Sequence, residues 1–295
     1  METVSKIWDV IWNNIVLTFG IAFSMFGLFF ILGMLLYLFS RFSRTTFAKA
    51  MGPRAEVFFT AWIGAPVHEL GHAFFCLIFG HKITNIKLFT PNSKDGTLGV
   101  VEHSYNKKNL YHQIGNFFIG VGPIIFGSLI ILGLLYFLMP GGKQIISMLQ
   151  AKSYAIHQAE SGLIAYLTMI FEGLWTVGKS LFSAENIHNW QFWVFLFITM
   201  AIAGHMELSP ADLKQMGVGF IFIFIIMFVI TLIFNLIFSS ATNILLYTVP
   251  WIAHLNQLLF FALMLSIIYF VSTYVIISIL YLIIKQQIIN PFKRK

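Results

Sequence analysis

Residues 61 to 80 read AWIGAPVHELGHAFFCLIFG, an apolar run of helical length that carries two histidines and a glutamate in its middle. Its length matches the roughly 20 residues that a helix needs to cross a hydrocarbon core of about 30 Å. His68 and His72 are four residues apart, so on a helix they share one face and their imidazoles can converge on one ion. An ionisable residue at the centre of a membrane helix costs about 2.5 to 3.5 kcal/mol on insertion scales, so three together call for a compensating partner. A metal ion is the most economical one, and zinc suits imidazole ligands. In the HExxH arrangement the intervening glutamate, here Glu69, does not ligate but takes the proton of the water that attacks a carbonyl. Gly64, Ala65, Gly71 and Ala73 are small enough to let neighbouring helices pack close beside it.

The rest of the chain agrees with a membrane setting. Of 295 residues, 58% are hydrophobic, 17% aromatic and only 10% charged, a balance foreign to a water-soluble domain of this size. The expected fold is an all-α polytopic membrane protein, one domain over residues 1 to 295. Six spans are predicted at 11 to 40, 56 to 80, 114 to 138, 190 to 207, 211 to 239 and 256 to 285. The first run is too long for a cleaved signal peptide and lacks a small-residue cleavage site, so it is expected to be retained. Residues 82 to 105, KITNIKLFTPNSKDGTLGVVEHSY, place β-branched runs on either side of a turn cluster and predict a β-hairpin. Residues 141 to 189 predict either an amphipathic helix in the interface or an extramembrane helical pair.

Cys76 is the one cysteine, which excludes an intrachain disulfide framework and a cysteine zinc cage. The net charge of +7 is spread over loops and the terminal KRK. That distribution suits an anionic inner leaflet, and nucleic acid is not expected as a partner. With both termini cytoplasmic, the basic residues favour the inside by a modest majority; Arg41, Arg44, Lys49 and Arg54 fall on the opposite side. The expected location is the cell membrane, multi-pass. The sequence sets no oligomeric state and has no organic-cofactor motif.

Two histidines leave a zinc site one protein ligand short. The candidates lie in AGHMELSPADLKQMG, residues 203 to 217, with Asp212 first, His205 second and Glu207 third. Ser209 as N-cap, Pro210 at the first helical position and Asp212 two further on also form a near capping box, which would start a helix with or without a metal. One carboxylate is not expected to serve fully as both cap and ligand. Pro210 predicts that the helix does not run unbroken through this stretch.

Taken in order, HELGH within a span, a hairpin directly after it, GNFFIGVGP (residues 115 to 123) in the next span and an aspartate at a later helix start resemble the site-2 protease family of intramembrane zinc metalloproteases. The resemblance covers about residues 56 to 239, with helix 11 to 40 as an accessory and helix 256 to 285 outside the core. It implies one Zn2+ per chain, Glu69 as catalytic base, and hydrolysis of a membrane-embedded protein or peptide presented along the hairpin. Gly122-Pro123 matches the family's Gly-Pro element. Asp212 matches the third ligand by order, while SPADLKQ lacks the family's Asn-Pro and Leu-Asp-Gly. Asn116 and His112 are candidates for oxyanion or substrate contact, and His81 and His103 are expected to be surface groups.

Two rival readings accompany this one. The prenyl-protein CAAX and heat-shock-type membrane proteases also carry HExxH, with a glutamate as third ligand; Glu207 would fill that role here. A non-proteolytic metal-binding membrane protein is the other.

Overall fold

A computed structural model describes residues 2–52, 54–92, 97–149, 163–238, 243–287 and 289–292. Among the described residues the elements are helices apart from one hairpin. Helix α1 runs Glu2–Met51, a π-helical turn at Val57–Ala61 leads into α2 at Trp62–Ile78, and strands β1 (Lys82–Lys87) and β2 (Val100–Ser104) follow. Then come α3 (Leu110–Leu138), α4 (142–149), α5 (Leu163–Leu181), α6 (Ala184–Ile187), α7 (Trp190–Ala203), α8 (Pro210–Phe238) and α9 (Asn243–Lys285).

Among the described residues, four helices are long and apolar enough to cross a bilayer: Trp8–Met51, Leu110–Leu138, Pro210–Ile237 and His254–Lys285. The other two expected spans are shorter helices, 17 residues in α2 and 14 in α7. The outward face of α8 exposes Ile221, Ile225, Val229, Ile233 and Leu236. Such a stripe suits a bilayer better than water, and together with the four long apolar helices it fits a membrane protein. Where α8 meets α1, polar groups pair with each other instead: Thr18 Oγ1 lies 2.7 Å from Thr231 Oγ1, and Asn14 Nδ2 donates to Phe228 O at 3.1 Å.

The first span does not end near residue 40. α1 continues to Met51 because the charges that seemed to break it have partners: Arg44 pairs with Glu207, and Lys49 Nζ donates to Asn290 O at 2.7 Å. The expected hairpin is present as two antiparallel strands pairing Lys82 with Ser104 and Lys87 with Val100, with an irregularity between Ile83 and Asn85. Its tip, residues 93–96, lies outside the described residues, as do 150–162 of the expected 141 to 189 segment; the described remainder of that segment is helical around short turns.

Helices α2, α3 and α8 form the inner unit. A Cβ on Gly71 would stand 2.8 Å from Pro123 Cα, one on Gly122 would stand 2.7 Å from Gly71 O, and one on Gly120 would stand 2.7 Å from Asp212 O. No larger residue permits these approaches, so the glycines bring three backbones near enough for side chains on separate helices to meet at one point. Around them, Leu36, Val121, Ile131, Phe195, Ile202 and Phe261 fill a buried core shared by α1, α3, α7 and α9.

Candidate metal centre

His68 and His72 project from one face of α2, as their spacing requires. Each imidazole is oriented by a backbone carbonyl: His68 Nδ1 lies 2.8 Å from His205 O, and His72 Nδ1 lies 2.8 Å from Ile119 O. A carbonyl can only accept, so each Nδ1 carries a proton, and a ring with no second proton presents its Nε2 lone pair to the other side. Those two Nε2 atoms are 3.2 Å apart. Asp212 Oδ1 comes to 3.2 Å from His72 Nε2, and Asp212 Oδ2 to 3.9 Å from His68 Nε2. Three sets of lone pairs thus face one point, an arrangement that repels itself unless a cation or proton lies among them. His68, His72 and Asp212 each offer a ligand atom within 4.8 Å of the others, and the group could hold a metal ion.

The helix start at Pro210 places the aspartate. Ser209 N donates to Asp212 Oδ2 at 2.7 Å and Asp212 N donates to Ser209 Oγ at 3.2 Å, a reciprocal capping box. The carboxylate is divided, as one that cannot fully serve both cap and ligand would be, with Oδ2 turned to the cap and Oδ1 to His72. The helix break at residues 204–209 is also as expected from Pro210.

His205 does not bring its ring to the group. Its Nδ1 lies 2.8 Å from Ala201 O and its Nε2 3.4 Å from Glu56 Oε1, so only its carbonyl serves the site. Glu207 is turned to Arg44. Glu69 is buried and lines the same cavity of about 420 Å³ as His68, His72 and Asp212. The chain just before β2 approaches Glu69 so closely that a Cβ on Gly99 would stand 2.5 Å from Glu69 Cγ, which makes residues 97–101 a wall of that cavity.

The two candidate donors stand off from this cavity. Asn116 is buried, donates to Gln113 Oε1 at 3.4 Å and accepts from Gln215 Nε2 at 3.4 Å. His112 sits at the foot of the hairpin, where its Nδ1 accepts from Asn106 N at 3.2 Å. His81 and His103 are not surface groups. His81 is 4% exposed, and His103 is half-buried in the cavity wall beside Gln215. Burial in the folded hairpin holds both imidazoles below the usual histidine pKa. Alternating strand positions in the sequence carried no signal for this, because the neighbours that bury the rings come from α3 and α8.

No protein-family model, curated protein or solved structure matches the chain significantly.

Proposed function

We propose that the chain is an intramembrane zinc metalloprotease, multi-pass in the cell membrane with six spans and both termini cytoplasmic, that hydrolyses peptide bonds of membrane-embedded proteins or peptides. The observation that carries this reading is the meeting of His68, His72 and Asp212 in one cavity that Glu69 also lines. Zinc held there would polarise a substrate carbonyl and lower the pKa of a ligated water toward about 7.

The protein's own residues supply the remaining work. His68 and His72 are held as Nδ1–H tautomers by the carbonyls of residues 205 and 119, which fixes both rings before any substrate arrives. Glu69 takes the proton of the attacking water and returns it to the leaving amine. A substrate helix must unwind to expose its amide, and the edge of β2 away from β1, which no described strand pairs, supplies partners for the backbone groups so released. Asp212 rather than Glu207 stands with the histidines, which favours this reading over a CAAX-type site. The buried Glu69 carboxylate lining the same cavity as the candidate ligands favours hydrolysis over a purely metal-holding role.

Cleavage of a reporter transmembrane peptide in vesicles tests the proposal. Glu69→Gln is expected to lower the rate by about 10²- to 10⁴-fold, the range for a lost general base, while metal content stays as in wild type. Undiminished cleavage by Glu69→Gln, or none by wild type under any condition that loads the metal, counts against it.

A further inference from the structure

Ser40 and Arg44 lie one turn apart on α1 and so face the same way. Both reach the non-helical stretch 204–209 between α7 and α8. Ser40 Oγ donates to Gly204 O at 2.5 Å, and Arg44 Nη1 pairs with Glu207 Oε1. Arg44 Nε also lies 3.5 Å from Glu56 Oε2, while the other Glu56 oxygen faces His205 Nε2. One guanidinium thus stands between the Glu56 and Glu207 carboxylates, contacts that its planar fork of donors suits. From behind, Tyr269 closes on Gly204, where a Cβ would stand 2.6 Å from the ring.

The contacts that aim His68 and Asp212 are carried by this short stretch, while His72 is held by α3. The His205 carbonyl receives the Nδ1–H of His68, and the Ser209 amide holds Asp212. Residues 204–206 bond back to the last turn of α7, and from Glu207 on the stretch leans on side-chain contacts for its shape. We propose that Arg44 is a positioning residue of the metal centre: through Glu207 it sets residues 204–209, and through them the aim of His68 and Asp212. This rests on the metal-centre reading above and extends it to α1, which sequence alone places outside the core.

The test is a Co2+ titration of the purified full chain in detergent, reading both affinity and the visible absorption bands that report coordination geometry. Glu207→Gln and Arg44→Met are each expected to weaken Co2+ binding by about 10- to 100-fold, the usual effect of losing an outer-shell partner, and to change the bands. Because the two act as one unit, the double variant is expected to lose no more than the worse single one. Arg44→Met leaves carboxylates uncompensated and can misfold; Glu207→Gln keeps the shape and carries the test on its own. Thr18→Val removes a contact of the same helix with α8, far along α1 from Arg44, and is expected to bind Co2+ as wild type does. Wild-type affinity and bands in Glu207→Gln, or equal weakening in Thr18→Val, overturn the proposal alone. A wild-type chain that takes up no Co2+ overturns it together with the metal centre.

Discussion

Among the described residues histidines gather where α2 meets α8 and at the foot of the hairpin, and these two clusters direct their protons in opposite ways. At the first, both Nδ1–H groups point outward to carbonyls and both Nε2 lone pairs point inward with Asp212. At the second, His81 Nε2 lies 2.9 Å from His112 O, His81 Nδ1 lies 3.0 Å from His103 Nδ1, and Gln215 Nε2 lies 2.8 Å from His103 Nε2. Only one proton arrangement makes all three contacts hydrogen bonds between neutral groups. His81 donates to the carbonyl of residue 112, His103 donates to His81, and the Gln215 amide donates to His103. Every ring nitrogen in that chain has its partner, and none is left for a cation. Histidine density therefore does not identify a metal site; the direction of the lone pairs does.

Substitutions that separate the clusters sharpen this contrast. His72→Ala removes a ligand from the first and is expected to weaken Zn2+ binding by more than about 100-fold, beyond the effect of an outer-shell change, as read by competition with a chelating dye. Asp212→Asn keeps an oxygen for the Ser209 amide but loses the charge; a drop of about 10- to 100-fold in the same assay, with little change in thermal stability, is expected. His103→Ala should reverse the pattern. Metal affinity stays at the wild-type value, while chemical denaturation records a loss of about 1 to 3 kcal/mol from the partners left unpaired around Gln215 and His81. Metal lost from His103→Ala and kept by His72→Ala would break the comparison.

Acid gives the smallest effect. Because burial depresses the pKa of His81 and His103, the unfolded chain takes up protons first as pH falls below about 6.5, and the folded chain follows only at lower pH. Stability contributed by the hairpin is therefore present at neutral pH, declines below that value and levels off beneath the folded pKa values. His81→Gln cannot titrate, so in metal-free protein its denaturation midpoint should fall less steeply with acid than that of wild type.

Much of the first cluster was legible in the sequence and little of the second. His68, Glu69 and His72 announce themselves because helical spacing is a local property, and Asp212 because Ser209 and Pro210 mark the start of its helix. The rotation of the His205 ring toward Glu56 is not local, since it depends on a turn before α2 that lies well over a hundred residues away in the chain. Arg44 was hidden for a related reason. A charge at the end of an apolar run reads as the end of a span, and only the folded positions of Glu56 and Glu207 show that it is paired inside the protein. The hairpin was visible in its β-branched runs, while the burial of its histidines depends on Gln215 and the start of α3. The α2 segment reads as a full span from hydropathy because the π-helical turn before it, Val57–Ala61, is itself apolar.

Elemental metal analysis of the purified protein tests the central claim most directly, comparing wild type with His68→Ala, Asp212→Ala and His205→Ala. The account predicts one zinc ion per wild-type chain, lost from the His68 and Asp212 variants and kept by His205→Ala, whose carbonyl and not its ring meets His68. A metal-free wild-type chain, or zinc that survives without Asp212 and disappears without the His205 ring, would contradict it.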